Sequence, residues 1–280
     1  MSSRPHDLGW RSCFPELAVD DRDTTVIEEG WDFQVVRLGD KVVRVPRRGE
    51  VEPHARLEAR VLPEVASRLP VRVPEPERVC ELHGSMVYSW IDGVPVSARV
   101  LDEVGADRLA AQLADTVTAV HRFPSQRATE LGVPDANLLA QIERFDAHVL
   151  PVLADRRRAA RLLDQARELL GDHERCLVHG DLGPAHLLCD DQGLSAVIDW
   201  ADLALGDPAH DLAWILNGLD RRLRAPFLAI SSVDDEVLLR ADIIRRLGPW
   251  WEVLYGLERN LPSFVDSGRA GIEDRLHSEG

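Results

Sequence analysis

A chain of 280 residues, 45% hydrophobic and 29% charged, has the composition of a globular protein with room for one large domain or two modest lobes. No stretch approaches the roughly 18 consecutive apolar residues of a membrane span. A net charge of −15, from 33 basic and 48 acidic residues, disfavours nucleic acid and favours cationic partners. The opening residues lack an apolar core followed by a cleavage site, so a cytoplasmic chain is expected. Cys13, Cys80, Cys176 and Cys189 are scattered without a CxxC pair, which predicts reduced thiols and neither a zinc site nor a disulfide framework. Lys41 is the only lysine, so any phosphate clamp is built mostly from arginine.

Residues 24 to 46 alternate apolar and polar positions, with Gly30 and Gly39-Asp40 as breaks, and read as consecutive antiparallel strands. Leu57, Val61, Leu62, Val65 and Leu69 then recur at helical spacing from His54 to Leu69, before the prolines of 70–76. Two further strands are expected around Arg78–Leu82 and Ser85–Trp90, closing a small α+β lobe over residues 1–91. From 92 to 280 the pattern is mainly helical, with helices near Ala106–His121, Ala136–Val149 and Asp155–Leu170. A β insertion at Leu187–Leu188 and Ala196–Ile198 turns through residues 190–193, helices resume near Pro208, and fraying is expected over Asp274–Gly280.

The chemistry concentrates in Val178-His179-Gly180-Asp181-Leu182-Gly183-Pro184-Ala185-His186-Leu187-Leu188, followed by Val197-Ile198-Asp199-Trp200. His-x-Asp, a second ligand-type residue five positions beyond the Asp, and an Asp after the next strand form the pattern of a phosphoryl-transfer loop. Such transfer needs a carboxylate to receive the acceptor's proton and metal ligands to offset phosphate charge. Asp181 suits the first task, His186 and Asp199 the second, and His179 reads as a residue that positions the loop.

These motifs, with Gly206-Asp207-Pro208-Ala209-His210-Asp211-Leu212, resemble the aminoglycoside and macrolide phosphotransferase family, antibiotic kinases related to protein kinases. Gly30-Trp31-Asp32-Phe33, Val43-Arg44-Val45-Pro46-Arg47-Arg48 and Leu57-Glu58-Ala59-Arg60-Val61-Leu62 are similar to its small lobe. The resemblance implies a two-lobed, protein-kinase-like α+β fold. It implies Asp181 as catalytic base with His179 beside it, His186 and Asp199 as Mg²⁺ ligands, and Arg44 with Glu58 as the phosphate-side ion pair. ATP or GTP would be the donor, its base meeting the hinge at Ser89 and Ile91, and Asp211 would support the loop. His186 stands where kinases have Asn, and Arg44 where many relatives have lysine. Lys41 is three residues away on the strand and so on the opposite face. Arg47 or Arg48 is the rival to Arg44. No GxGxxG occurs near residues 28–39, so a phosphate-covering loop at Glu29–Val35 would use other chemistry.

Seven aspartates and no lysine or arginine lie between Leu187 and Asp220. Asp190, Asp191, Asp207 and Asp211 read as turn, cap and support residues, and Asp202 and Asp220 as contacts to a cationic acceptor. Glu252, Tyr255 and Glu258 share a helix face and are further acceptor candidates, while Trp251, Leu254 and Leu257 read as core. Arg156, Arg157, Arg158 and Arg161 read as a solvated face. The expectation is Mg²⁺-dependent transfer of a γ-phosphoryl group to a hydroxyl of a small cationic antibiotic, an aminoglycoside first, giving resistance. Alternatives are a macrolide kinase, a metabolic small-molecule kinase, or a non-catalytic kinase-like binding protein.

Overall fold

A computed structural model describes residues 10–17, 24–27, 30, 32–171 and 173–277. Residues 28, 29 and 31 of the expected phosphate-covering segment, and 278–280 of the expected frayed end, lie outside these.

The first elements of the described residues are a short helix, α1 (Trp10–Cys13), and three strands, β1 (Thr24–Ile27), β2 (Phe33–Leu38) and β3 (Lys41–Pro46). Helix α2 (Glu52–Ala66) follows, then β4 (Arg78–Val79) and β5 (Met86–Ser89). The strands form one antiparallel sheet in the order β1-β2-β3-β5-β4. Helix α2 starts two residues earlier than its apolar spacing alone indicates, with Pro53 in the first turn, where no N–H is needed. Alternation along β3 sorts its side chains. Val43 and Val45 face outward to Trp10 of α1 and to Phe14 just after it, and Arg44 faces inward to α2. Lys41 shares the outward side and pairs with Glu77 at 2.6 Å, away from Glu58.

Docking of α1 brings Cys13 against Cys80, and the two are disulfide-bonded with Cα atoms 5.7 Å apart. This corrects the expectation of four thiols. A tertiary contact spanning 67 residues makes the pair, and no local spacing announces it. Cys176 and Cys189 are free.

Beyond β5, a short strand β6 (Val94–Pro95) pairs antiparallel with Leu188 and Cys189 of the second lobe. Helices α3 (Ala98–Val104), α4 (Ala106–His121), α5 (Ser125–Leu131), α6 (Leu138–Arg144) and α7 (Arg156–Leu169) come next. The expected 136–149 helix is split: α6 gives way to a π turn over Phe145–Val149. Strand β7 (Cys176–Val178), the hairpin β8 (Leu187–Asp190) and β9 (Gly193–Val197), and β10 (Ala204–Gly206) carry the motif segment. Helices α8 (Ala209–Gly218), α9 (Arg224–Ile230), α10 (Asp235–Arg259) and α11 (Pro262–His277) complete the lobe. Residues 274–277 are helical, not frayed, because Ile272 and Leu276 are buried against the rest of the lobe. Arg156, Arg157 and Arg161 are exposed, as a solvated face requires.

The large core runs from α4 and α7 through Trp200 and Trp250 and takes in Leu57, Val61, Leu62 and Val65 of α2. Helix α2 therefore packs on both lobes, with Ala55 and Ala59 against Phe33 and Met86 of the sheet and Leu57, Val61, Leu62 and Val65 in the large core, and it carries Glu58 beside Arg44 between them. No helix of the described residues is long and apolar enough to cross a membrane.

Candidate active site

The loop after β7 is shaped from beneath by Asp211. Its Oδ2 accepts from the His179 N–H (3.2 Å) and from His121 Nε2 (2.9 Å), and its Oδ1 from the Gly180 N–H (3.0 Å). Burial would raise this carboxyl, but the His121 bond and the loop donors hold it below the usual range. Gly180, at φ +86°, has the Asp202 carbonyl where a Cβ would stand, so a side chain is excluded there.

His179 is completely buried and is a positioning residue. Its Nε2 donates to the Ile198 carbonyl (3.1 Å) and its Nδ1 accepts from the Asp181 N–H (3.2 Å). These two backbone partners fix a neutral tautomer, and burial lowers its pKa accordingly. The buried ring ties the segment at Ile198 to the loop at Asp181 and presents no surface to the cleft, the placement expected of a residue that positions the loop.

Asp181, His186 and Asp199 converge on one cleft of about 910 Å³ between the lobes. His186 Nδ1 donates to the Asp181 carbonyl (2.7 Å), which leaves the Nε2 lone pair facing Asp199 Oδ2 at 3.7 Å. That gap is too long for a hydrogen bond and suits two donors that share a cation. The other oxygen of Asp199, Oδ1, is ion-paired with Arg44. Asp199 itself sits at φ +60°, a left-handed conformation that Asp tolerates and that aims its carboxylate into the cleft. Enclosure would raise the Asp199 pKa, and the Arg44 charge overrides it, keeping the group ionised. Asp181 moves the other way: desolvation raises it, against the two histidines.

Arg44 also pairs with Glu58, and both are almost fully buried. The rivals are engaged elsewhere: Arg48 with Asp32 and Glu50, and Arg47 with the Phe33 carbonyl at 3.1 Å. Among the described residues no group of three or more His, Cys, Asp or Glu side chains is arranged around an ion position. Two protein donors, a neutral imidazole nitrogen and a carboxylate, nevertheless fit a Mg²⁺ whose remaining ligands are phosphate oxygens and water.

Other candidates divide. Asp202 is exposed on the cleft wall, and desolvation by the surrounding walls, with the charges of Asp181, Asp199 and Asp32, pushes its pKa up to about 6. Glu252, Tyr255 and Glu258 line the cleft too, with Glu258 ion-paired to Arg144. Leu254 is core as expected, Leu257 is exposed, and Trp251 lies edge-on to Phe145 while lining the cleft. Asp220 lies apart from the other acceptor candidates. It caps a short turn by accepting from the Arg222 N–H (3.0 Å) and pairs with the Arg222 side chain, outside the cleft lining. Ser89 donates to Glu77 (2.7 Å), and neither it nor Ile91 is part of that lining.

Sequence reasoning missed His121, Arg275, Arg245 and Trp214. Trp214 is 37% exposed on the cleft wall and would lie 3.5 Å from a Cβ at Gly183. The cleft has arginines as well as carboxylates, because Arg144, Arg245 and Arg275 also line it.

A strand-rich lobe with a buried inward arginine–glutamate pair, over a helical lobe with a His-x-Asp loop and a second aspartate, defines a phosphotransferase of protein-kinase-like build. The model of the phosphotransferase enzyme family matches residues 23–247, and the chain belongs to that family. It is similar to the viomycin phosphotransferase of Streptomyces vinaceus, 30% identical over 183 residues that span 61% of this chain and 63% of that one. An uncharacterised protein of Bacillus subtilis (strain 168) is 25% identical over 225 residues, 70% of each chain. The fold is that of the GDP and kanamycin complex of APH(2")-IIia, with a TM-score of 0.85, 22% identity, and 96% and 97% of the two chains covered. The macrolide 2'-phosphotransferase MphH from Brachybacterium faecium superposes with a TM-score of 0.73 at 24% identity, covering 94% and 97%.

Proposed function

We propose that the chain transfers the γ-phosphoryl group of ATP or GTP to a hydroxyl of an amine-bearing antibiotic, giving resistance. The observation that carries this reading is the convergence of Asp181, His186 and Asp199 on one cleft, with His186 Nε2 and Asp199 Oδ2 3.7 Å apart. Residues 1–91 form the nucleotide lobe and 92–280 the catalytic and acceptor lobe. The nucleotide base meets the backbone of the hinge near Ser89 and Ile91, and Arg44, held by Glu58, directs its remaining donors to the phosphates.

Asp181 accepts a hydrogen bond from the acceptor hydroxyl and orients its oxygen for in-line attack on the γ-phosphorus, with the nucleoside diphosphate leaving opposite. The hydroxyl proton passes to the Asp181 carboxylate, whose raised pKa makes it a stronger base than an exposed aspartate. His186 and Asp199 would hold Mg²⁺, which offsets phosphate charge when bound.

An aminoglycoside is the first reading of the acceptor, supported by the carboxylates of Asp32, Asp181 and Asp202 on the cleft wall. A peptide antibiotic is the second, favoured by the likeness to viomycin phosphotransferase. A nucleotide-consumption screen over aminoglycosides, macrolides and peptide antibiotics tests both. Acceptor-dependent release of nucleoside diphosphate is the expected result, and its absence with every class would refute the reading.

A further inference from the structure

Helix α10 contains Pro249, which has no N–H to offer the carbonyl four residues earlier, that of Arg245. A guanidinium nitrogen of Arg275, from α11, takes that carbonyl instead. Gly248 leaves the guanidinium room beside α10, since a Cβ there would stand 2.7 Å from Arg275 Nη1 and push the side chain aside. Proline, glycine and arginine together pin the Arg275 guanidinium on the wall of the cleft that also holds Asp181.

Only part of its donor capacity is used there. Arg275 forms no ion pair among the described residues, whereas Arg245 beside it is paired with Asp242 at 2.8 Å. Burial and the Arg245 charge lower the Arg275 pKa, opposed by Asp274 and Glu252. A partly buried cation with spare planar donors is an arrangement that an anion relieves, and a carboxylate matches the fork.

We propose that Arg275 anchors a carboxylate of the acceptor. This rests on reading the cleft as an acceptor site and departs from the aminoglycoside reading above, because it requires an acceptor that carries a carboxylate as well as an amine. The hydroxyl lies at Asp181, an amine along the Asp32 and Asp202 side, and the carboxylate between α10 and α11. A polycation with amines along its whole length meets an unfavourable charge at that end.

The test follows nucleotide consumption with seryl dipeptides, their C-terminal amides, kanamycin and viomycin as acceptors. Three proteins are compared: wild type, Arg275→Gln and Arg275→Lys. Glutamine keeps a donor for the Arg245 carbonyl but removes the charge, and lysine restores it. Wild type is expected to use the free carboxylates with kcat/KM about tenfold or more above the amides. Arg275→Gln should erase that ratio and Arg275→Lys recover most of it, with the nucleotide KM unchanged in both. A wild type that prefers kanamycin, viomycin or the amides, or a ratio that survives in Arg275→Gln, overturns the proposal and leaves phosphoryl transfer standing. No turnover of any acceptor by wild type overturns both.

Discussion

Arg44 of the sheet lobe is ion-paired across the cleft with Asp199 of the helical lobe, so the basic group aimed at the phosphates and a proposed metal ligand hold each other. The same guanidinium holds buried Glu58, and one side chain thus joins β3, α2 and the segment after β9.

Removing that hub strands a buried carboxylate. Arg44→Met is expected to lose about 3–5 kcal/mol of stability, and Glu58→Gln in that background to recover part of it. Urea unfolding measures both. An unchanged midpoint in Arg44→Met would mean that Glu58 does not depend on its partner.

Asp202 gives a pH dependence of definite sign. Its folded pKa of about 6 lies above its unfolded value, so the folded state binds more protons between about pH 4 and 6, and this stability is lost as pH rises through that window. Asp202→Asn should therefore match wild type near pH 4 and be the more stable protein above pH 6, measured by chemical unfolding in a metal chelator. Equal stability at both pH values would contradict the raised pKa.

The Cys13–Cys80 bond closes a long loop over the outer face of the sheet. Cys13→Ser should cost about 2–4 kcal/mol. Thiol titration of the unreduced protein in denaturant should find two reactive groups, Cys176 and Cys189, and four after reduction. Four before reduction would show that the bond does not form.

Metal dependence assigns His186 and Asp199. Thermal stabilisation by ATP or GTP should increase with Mg²⁺ in wild type, and that increment should vanish in Asp199→Asn and shrink in His186→Ala. A full increment in Asp199→Asn would place the ion elsewhere. No stabilisation of wild type by either nucleotide would refute nucleotide binding.

Much of this was legible because local spacing carried it. The alternation around Val43, Arg44 and Val45 sets the inward side of β3, and the loop from His179 to His186 with the strand into Asp199 compresses the catalytic geometry into 21 residues. What escaped depends on contacts between distant segments. Cys13 meets Cys80 because Trp10 and Phe14 cover the sheet, and Arg275 is held at the cleft by the carbonyl that Pro249 leaves without its helical partner. Clustered aspartates suggest a charged mouth, but spacing alone does not show that Asp220 pairs with Arg222 in the turn that it caps.

The central claim, that Asp181 receives the acceptor's proton, is tested most directly by Asp181→Asn. Acceptor-dependent phosphorylation should fall by about 10²–10⁴-fold while Mg²⁺-nucleotide stabilisation stays at the wild-type level. Undiminished phosphorylation by this variant would contradict the account.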